Sequence, residues 1–278
     1  MFVFIFFFIL FLSFLSMCLV DYVLWWSIFV VSTFVFIFFL KNECYYGSLV
    51  SYYIVQEVSG YYFLVFSSWK FQFVIIMIKA GVAPFYFWLF GVVESLSKWY
   101  LMWFLTFQKL PYFFVMVNFY CNYFFYFLLF GVFVCYLHFF LLRGFLDMLV
   151  VFSVESFSWL LMLCFFSGDF FFYVFFYYFI MIVSLPYVYK YYFSGLSLEL
   201  VLIFFNIPLS VTFLLKLLLM GEVYIVGYYY FYLLFFMVLI SMGISFWFFY
   251  VSMINNIGVK FNDYFFFVFF SFMLLSYF

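Results

Sequence analysis

Residues 99–117 read WYLMWFLTFQKLPYFFVMV, an apolar run with a single charge, Lys109, and a proline two places after it. As a helix, a run of this length reaches across the hydrocarbon core of a bilayer, about 30 Å thick. Lys109 lies ten residues after Trp99, a rise of roughly 15 Å, so its ammonium has no easy exit to the headgroups. A charge at such a depth costs about 2.5–3.5 kcal/mol on insertion scales. Pro111 lacks an N–H, so the carbonyl of Phe107 loses its usual helical partner. Irregular backbone at membrane depth is tolerated where it faces protein or a watery cavity. The stretch therefore predicts a broken membrane helix turned toward the interior of a helical bundle.

The rest of the chain agrees. Of 278 residues, 74% are apolar and 7% charged, against about 25% charged in a soluble domain. Polar punctuation predicts ten or eleven transmembrane helices in one all-α, polytopic membrane domain, 1–278. The expected spans are 1–20, 22–40, 51–67, 71–91 (interrupted by Gly81 and Pro84), 99–117, 119–142, 145–166, 170–189, 196–220 (broken near Pro208), 223–251 and 264–278. Continuous apolar runs exclude a barrel, whose strands alternate over about ten residues. The start, MFVFIFFFILFLSFL, has neither the basic region of a secretory signal nor an Arg-rich amphipathic pattern, and is expected to be a first permanent span. Together with the hydrophobicity, this favours synthesis inside an organelle. The 60 phenylalanines are read as biased codon supply filling positions that ask only for an apolar residue.

Net charge of -1 and the lack of any Lys/Arg cluster exclude nucleic acid as a partner. The five cysteines form no CxxC and avoid the single histidine, so they read as packed thiols without metal. No phosphate loop, HExxH or nucleophile–histidine arrangement occurs. Two further lysines sit in apolar runs, Lys79 in FVIIMIKAGVAPFYFW and Lys216 in PLSVTFLLKLLLMG. Pro84 frees the carbonyl of Ala80 beside Lys79, and Pro208 frees that of Phe204. Transporters place ion sites at such discontinuous helices. Glu57 and Glu155 are the acids placed to partner a buried lysine, whereas Glu199 suits a helix start. His138 reads as a proton carrier or as an interface residue near a helix end.

The run from Lys79 to Leu110 resembles subunit 2 of the mitochondrial NADH–ubiquinone oxidoreductase, complex I, which writes this stretch roughly as KLGLAPFHFWVPEVTQG followed by LLTWQKLAP. Lys79, Gly81, Ala83, Pro84, Phe85, Phe87 and Trp88 match its first part, and Thr106, Gln108, Lys109 and Leu110 its second. SYYIVQ places Gln56, NIPLSVTFLLK places Pro208, Phe213 and Lys216, and SVESFSW aligns through Ser153, Val154 and Trp159. The pattern SxESFxW looks nematode-like. The resemblance implies an antiporter-like fold with two inverted units, each with a broken helix, the first within about 1–195 and the remainder in 196–278. It implies multi-pass placement in the mitochondrial inner membrane, among lipids and the other membrane-arm subunits of complex I. NADH, FMN, iron–sulfur clusters and ubiquinone are expected elsewhere in the complex, with none bound by this chain. Lys109 and Lys216 match the family's two broken-helix lysines.

The departures from the family pattern bear on the chemistry. The family's early-helix glutamate, within WxGLE, falls on Phe29, and no acid lies between Tyr22 and Leu40. Its lysine in LRKIxAYSS falls on Asp147, with Arg143 one turn earlier, and its histidine in APFHFW is Tyr86. A phenyl ring cannot replace a carboxylate as a counter-charge, so Glu57 first and Glu155 second are the intrachain candidates to partner Lys109. Three readings stay open: a proton-pumping subunit acting through Lys109, Lys79 and Lys216, a non-conducting structural subunit of the same arm, and an independent cation/proton transporter.

Overall fold

The computed structural model describes residues 2–40, 45–96, 98–119, 122–142, 145–166, 211–226 and 228–254. All regular elements among them are helical: α1 (Phe2–Cys18), α2 (Tyr22–Leu40), α3 (Tyr46–Val65), α4 (Trp69–Ala80), α5 (Trp88–Val93), α6 (Lys98–Leu105), α7 (Leu110–Asn118), α8 (Asn122–Leu141), α9 (Phe145–Phe166), α10 (Val211–Val226) and α11 (Tyr228–Ile254). Four carry segments long and apolar enough to cross a membrane: Tyr22–Leu40, Phe124–Leu141, Leu146–Phe166 and Tyr229–Phe246. In α2, Trp25, Ile28, Phe29, Ser32, Thr33, Phe36 and Phe39 form the buried stripe, while Val31, Phe34 and Phe38 point outward. A helix apolar on its outer face as well belongs in lipid.

The chain forms two compact units, Met1–Ser158 and Trp159–Phe278. In the first, α1 and α2 make a hairpin closed by the Trp25 indole, whose N–H reaches the carbonyls of Ser16 at 2.9 Å and Leu19 at 3.0 Å. Helix α3 packs on α2 and α4, and α7 packs on α1, α2 and α4. In the second, α10 packs on α11.

Several boundaries differ from the punctuation reading for identifiable reasons. Helix α3 starts at Tyr46 rather than at 51 because Ser48 and Ser51 turn their hydroxyls onto the carbonyls of Tyr45 and Ser48, both at 2.8 Å. Their polarity is thereby absorbed within the helix. Helix α10 continues through Gly221 and Glu222 to Val226. The expected spans 170–189 and 264–278, the break at Phe204–Pro208 and the division near residue 195 lie outside the described residues, as does Arg143.

Two interruptions shape the first unit. Helix α4 ends at Gly81, which takes the left-handed conformation at φ 63°. The N–H groups of Gly81 and Val82 close back on the carbonyls of Ile78 and Met77, a glycine-terminated stop that a residue with a Cβ resists. The second break follows α6. Thr106 leaves the helical path, Phe107–Lys109 form one 3-10 turn, and α7 restarts with Pro111 in its first turn. A proline is well placed there, since that turn has no use for its missing N–H.

Candidate functional site

The two interruptions bring polar groups together. At the end of α4, the Lys79 carbonyl accepts from Gln56 Nε2 at 2.9 Å and the Ile78 carbonyl from Trp88 Nε1 at 3.0 Å. At the 3-10 turn, the Phe107 carbonyl, which Pro111 cannot serve, accepts from the Leu110 N–H. The broken helix ends are thus satisfied largely by protein donors, as buried carbonyls require.

Gln56 and Gln108 tie the pieces. Tyr112 donates its hydroxyl to Gln56 Oε1 at 3.2 Å, so Gln56 holds α7 and α4 to α3. Gln108 Nε2 donates to the Tyr52 hydroxyl at 3.0 Å and approaches the Ser32 carbonyl at 3.4 Å. Gln108 Oε1 is buried with no hydrogen-bond partner among the described residues. A small cavity of about 10 Å³ runs between them, lined by Gln56, Lys79, Gln108, Lys109 and Tyr112 on its polar side. That is room for about one water molecule, among enough polar atoms to hold it.

Lys109 is buried at the turn. Its Nζ lies 3.4 Å from the carbonyl and 3.5 Å from the hydroxyl of Ser153 on α9, at the outer limit of a hydrogen bond. It also stands 5.3 Å from the ring centroid of Phe157, one helical turn beyond Ser153. Lys79 is buried with its Nζ 5.2 Å from the ring of Phe29. In the second unit, the buried Lys216 has its Nζ 5.2 Å from the Trp159 ring. All three interior lysines therefore rest on aromatic faces within the roughly 6 Å over which a cation–π attraction operates.

The acids take separate places. Glu155, buried on α9, accepts the Tyr136 hydroxyl at 2.6 Å. Glu57, half-buried on α3, acts electrostatically on Lys79, Tyr52 and Tyr112. Lys109 makes no ion pair among the described residues; Ser153 and Phe157 are its near partners. His138 faces Tyr86, whose hydroxyl lies 3.0 Å from its Nδ1, and packs beside the rings of Phe87 and Phe90. Asp147 is half-exposed in the first turn of α9, where the helix dipole favours an acid. Pro84 follows a cis peptide in the loop after α4, beyond the end of the helix. Among the described residues no three His, Cys, Asp or Glu side chains are grouped to hold a metal.

Phe29, Ser153, Phe157 and Trp159 were not legible as lysine partners. Phe157 and Ser153 do carry a faint signal, an i, i+4 pair in the polar run SVESFSW within an otherwise apolar helix.

Fold and site together define a polytopic helical membrane protein whose interior shelters cations at interrupted helices. No protein-family model matches the chain. It is 39% identical over 232 residues to NADH-ubiquinone oxidoreductase chain 2 of Ascaris suum, covering 78% of this chain and 73% of that protein. It is 38% identical over 259 residues to NADH-ubiquinone oxidoreductase chain 2 of Caenorhabditis elegans, covering 92% of each. The chain belongs to the NADH-ubiquinone oxidoreductase chain 2 family.

Proposed function

We propose that this chain is a multi-pass subunit of the membrane arm of the respiratory NADH:ubiquinone oxidoreductase in the mitochondrial inner membrane, and that it moves protons when NADH is oxidised elsewhere in the complex. The similarity to two chains named for that enzyme supports the membership. The observation that carries the proton-handling role is the buried Lys109 at a broken helix, beside a polar cavity. The reading includes ten or eleven membrane helices, two antiporter-like units and a second break near Pro208 beside Lys216.

The chemistry asked of the chain is modest. The Phe157 ring and the Ser153 oxygens seat the Lys109 ammonium without clamping it, since both oxygen contacts are long. Gln108 Oε1 and the cavity offer the next acceptor, and Lys79 lines the far side. Glu155 lies two residues beyond Ser153 on α9, held by Tyr136. A proton passing through this chain would be held on lysine nitrogen and handed on through a water in that cavity. Redox chemistry and cofactors belong to other subunits.

A structural, non-conducting subunit is the second reading. It is favoured by Phe29 in place of the family's acid and by the absence of an ion pair at Lys109 among the described residues. The complex carrying Lys109→Met separates the two. Methionine keeps most of the volume and drops the charge, so assembly should persist. Coupled proton uptake should fall by roughly a hundredfold for transfer through this subunit, the lower end of what a positioned proton-transfer group contributes. Unchanged uptake per NADH would establish the structural reading instead.

A further inference from the structure

Lys79 is held differently from Lys109. Its carbonyl is bonded to Gln56, and its ammonium stands 5.2 Å from the ring of Phe29. It faces Gly60 on α3, where a Cβ would stand 3.2 Å from Lys79 Nζ and 3.3 Å from Trp26 Nε1. The Trp26 N–H is itself buried with no partner among the described residues. Two donors thus converge on the notch that a missing side chain leaves over Gly60. A buried indole N–H is rarely left without an acceptor.

One acid is placed to do so. Glu57 is one turn before Gly60 on α3, and residues three apart share a helix face. It is half-buried, so its carboxylate has room to move, and Lys79 lies within its electrostatic reach. Phe29 cannot accept a hydrogen bond in the way a carboxylate does, although its ring seats the ammonium at 5.2 Å.

We propose that Glu57 is the counter-charge of Lys79: its carboxylate closes over the Gly60 notch and accepts from both the Lys79 ammonium and the Trp26 N–H. Phe29 is the apolar floor of that pair, and Gly60 is the space in which it forms. The acid that the family keeps on α2 has its substitute on α3, and it serves Lys79. The importance given to Lys79 rests on the proton-translocation reading, but the pairing itself is independent of it.

Carbodiimide labelling of the intact complex tests the pairing, because the reagent modifies protonated carboxyl groups in apolar surroundings. Glu57 labelling, read by mass spectrometry of its peptide, should be low in the unchanged chain and rise severalfold in Lys79→Met, where no ammonium covers the carboxylate. Phe29→Glu, which supplies a competing acid beside Lys79, should also raise Glu57 labelling, and it guards against a variant that fails to assemble. Equal labelling of Glu57 across the unchanged and variant complexes would overturn the pairing. The proton-translocation reading would survive that result, because labelling reports charge and not pumping.

Discussion

Replacing Gly131 by alanine puts a methyl group into the closest approach between α8 and the loop after α4. A Cβ at Gly131 would lie 2.6 Å from the carbonyl carbon of Ala83, 2.7 Å from its oxygen and 2.9 Å from its Cβ. Ordinary contact begins near 3.4 Å, so the two surfaces must part by about 0.8 Å. The obstacle is backbone and has no rotamer with which to move aside. Overpacking of this kind costs about 1–3 kcal/mol, and an immovable neighbour argues for the upper end. The same shift stretches the 3.0 Å contact between Tyr86 and His138, three and seven residues away along the two elements. That adds about 1 kcal/mol for a part-buried hydrogen bond. Gly91 is the control, exposed on α5 with nothing within 4 Å of a Cβ; alanine there should be neutral or stabilise by about 0.5–1 kcal/mol. Heating the solubilised complex and following this chain on native gels should give a lower release temperature for Gly131→Ala and none for Gly91→Ala. Equal release temperatures for Gly131→Ala and the unchanged chain would refute the packing argument.

Phe157→Leu keeps an apolar side chain beside Lys109 but removes the ring face, an interaction of about 0.5–2 kcal/mol. Coupled proton uptake should fall between about twofold and thirtyfold, with assembly retained; full uptake would show that the ring only packs. Ser153→Ala removes the 3.5 Å hydroxyl contact but leaves the 3.4 Å carbonyl, so it should cost about 1 kcal/mol or less and reduce uptake less than Phe157→Leu. A larger loss in Ser153→Ala, measured in the same vesicles, would contradict that ordering.

The membrane-helical character of the chain was plain from its runs of apolar residues. The boundaries of α2 and α9 follow directly from the charges and turns that flank them. The stop at Gly81 and the interruption before Pro111 were legible because glycine and proline act on the local backbone. The repair of those interruptions was not. Gln56 and Trp88 reach the freed end of α4 from other helices, and only the packing brings them there. The aromatic residues show the same division. Read by composition, they are interchangeable apolar filler, and most of the exposed ones remain so. Phe29, Phe157 and Trp159 differ only in lying under an ammonium fifty or so residues away along the chain, a relation without a local sequence signal. Glu57 stood out in the sequence as an acid beside Gln56. In the fold its charge reaches Lys79, whereas the sequence directed attention to Lys109.

The central claim is that Lys109 exchanges a proton during turnover. Infrared difference spectra of the intact complex, taken between resting and NADH-driven states with lysine nitrogen isotopically labelled, read that exchange directly. A lysine N–H band that changes with turnover in the unchanged chain and vanishes in Lys109→Met is the expected result. Spectra of the unchanged and Lys109→Met complexes that coincide, with NADH oxidation running in both, would contradict the claim.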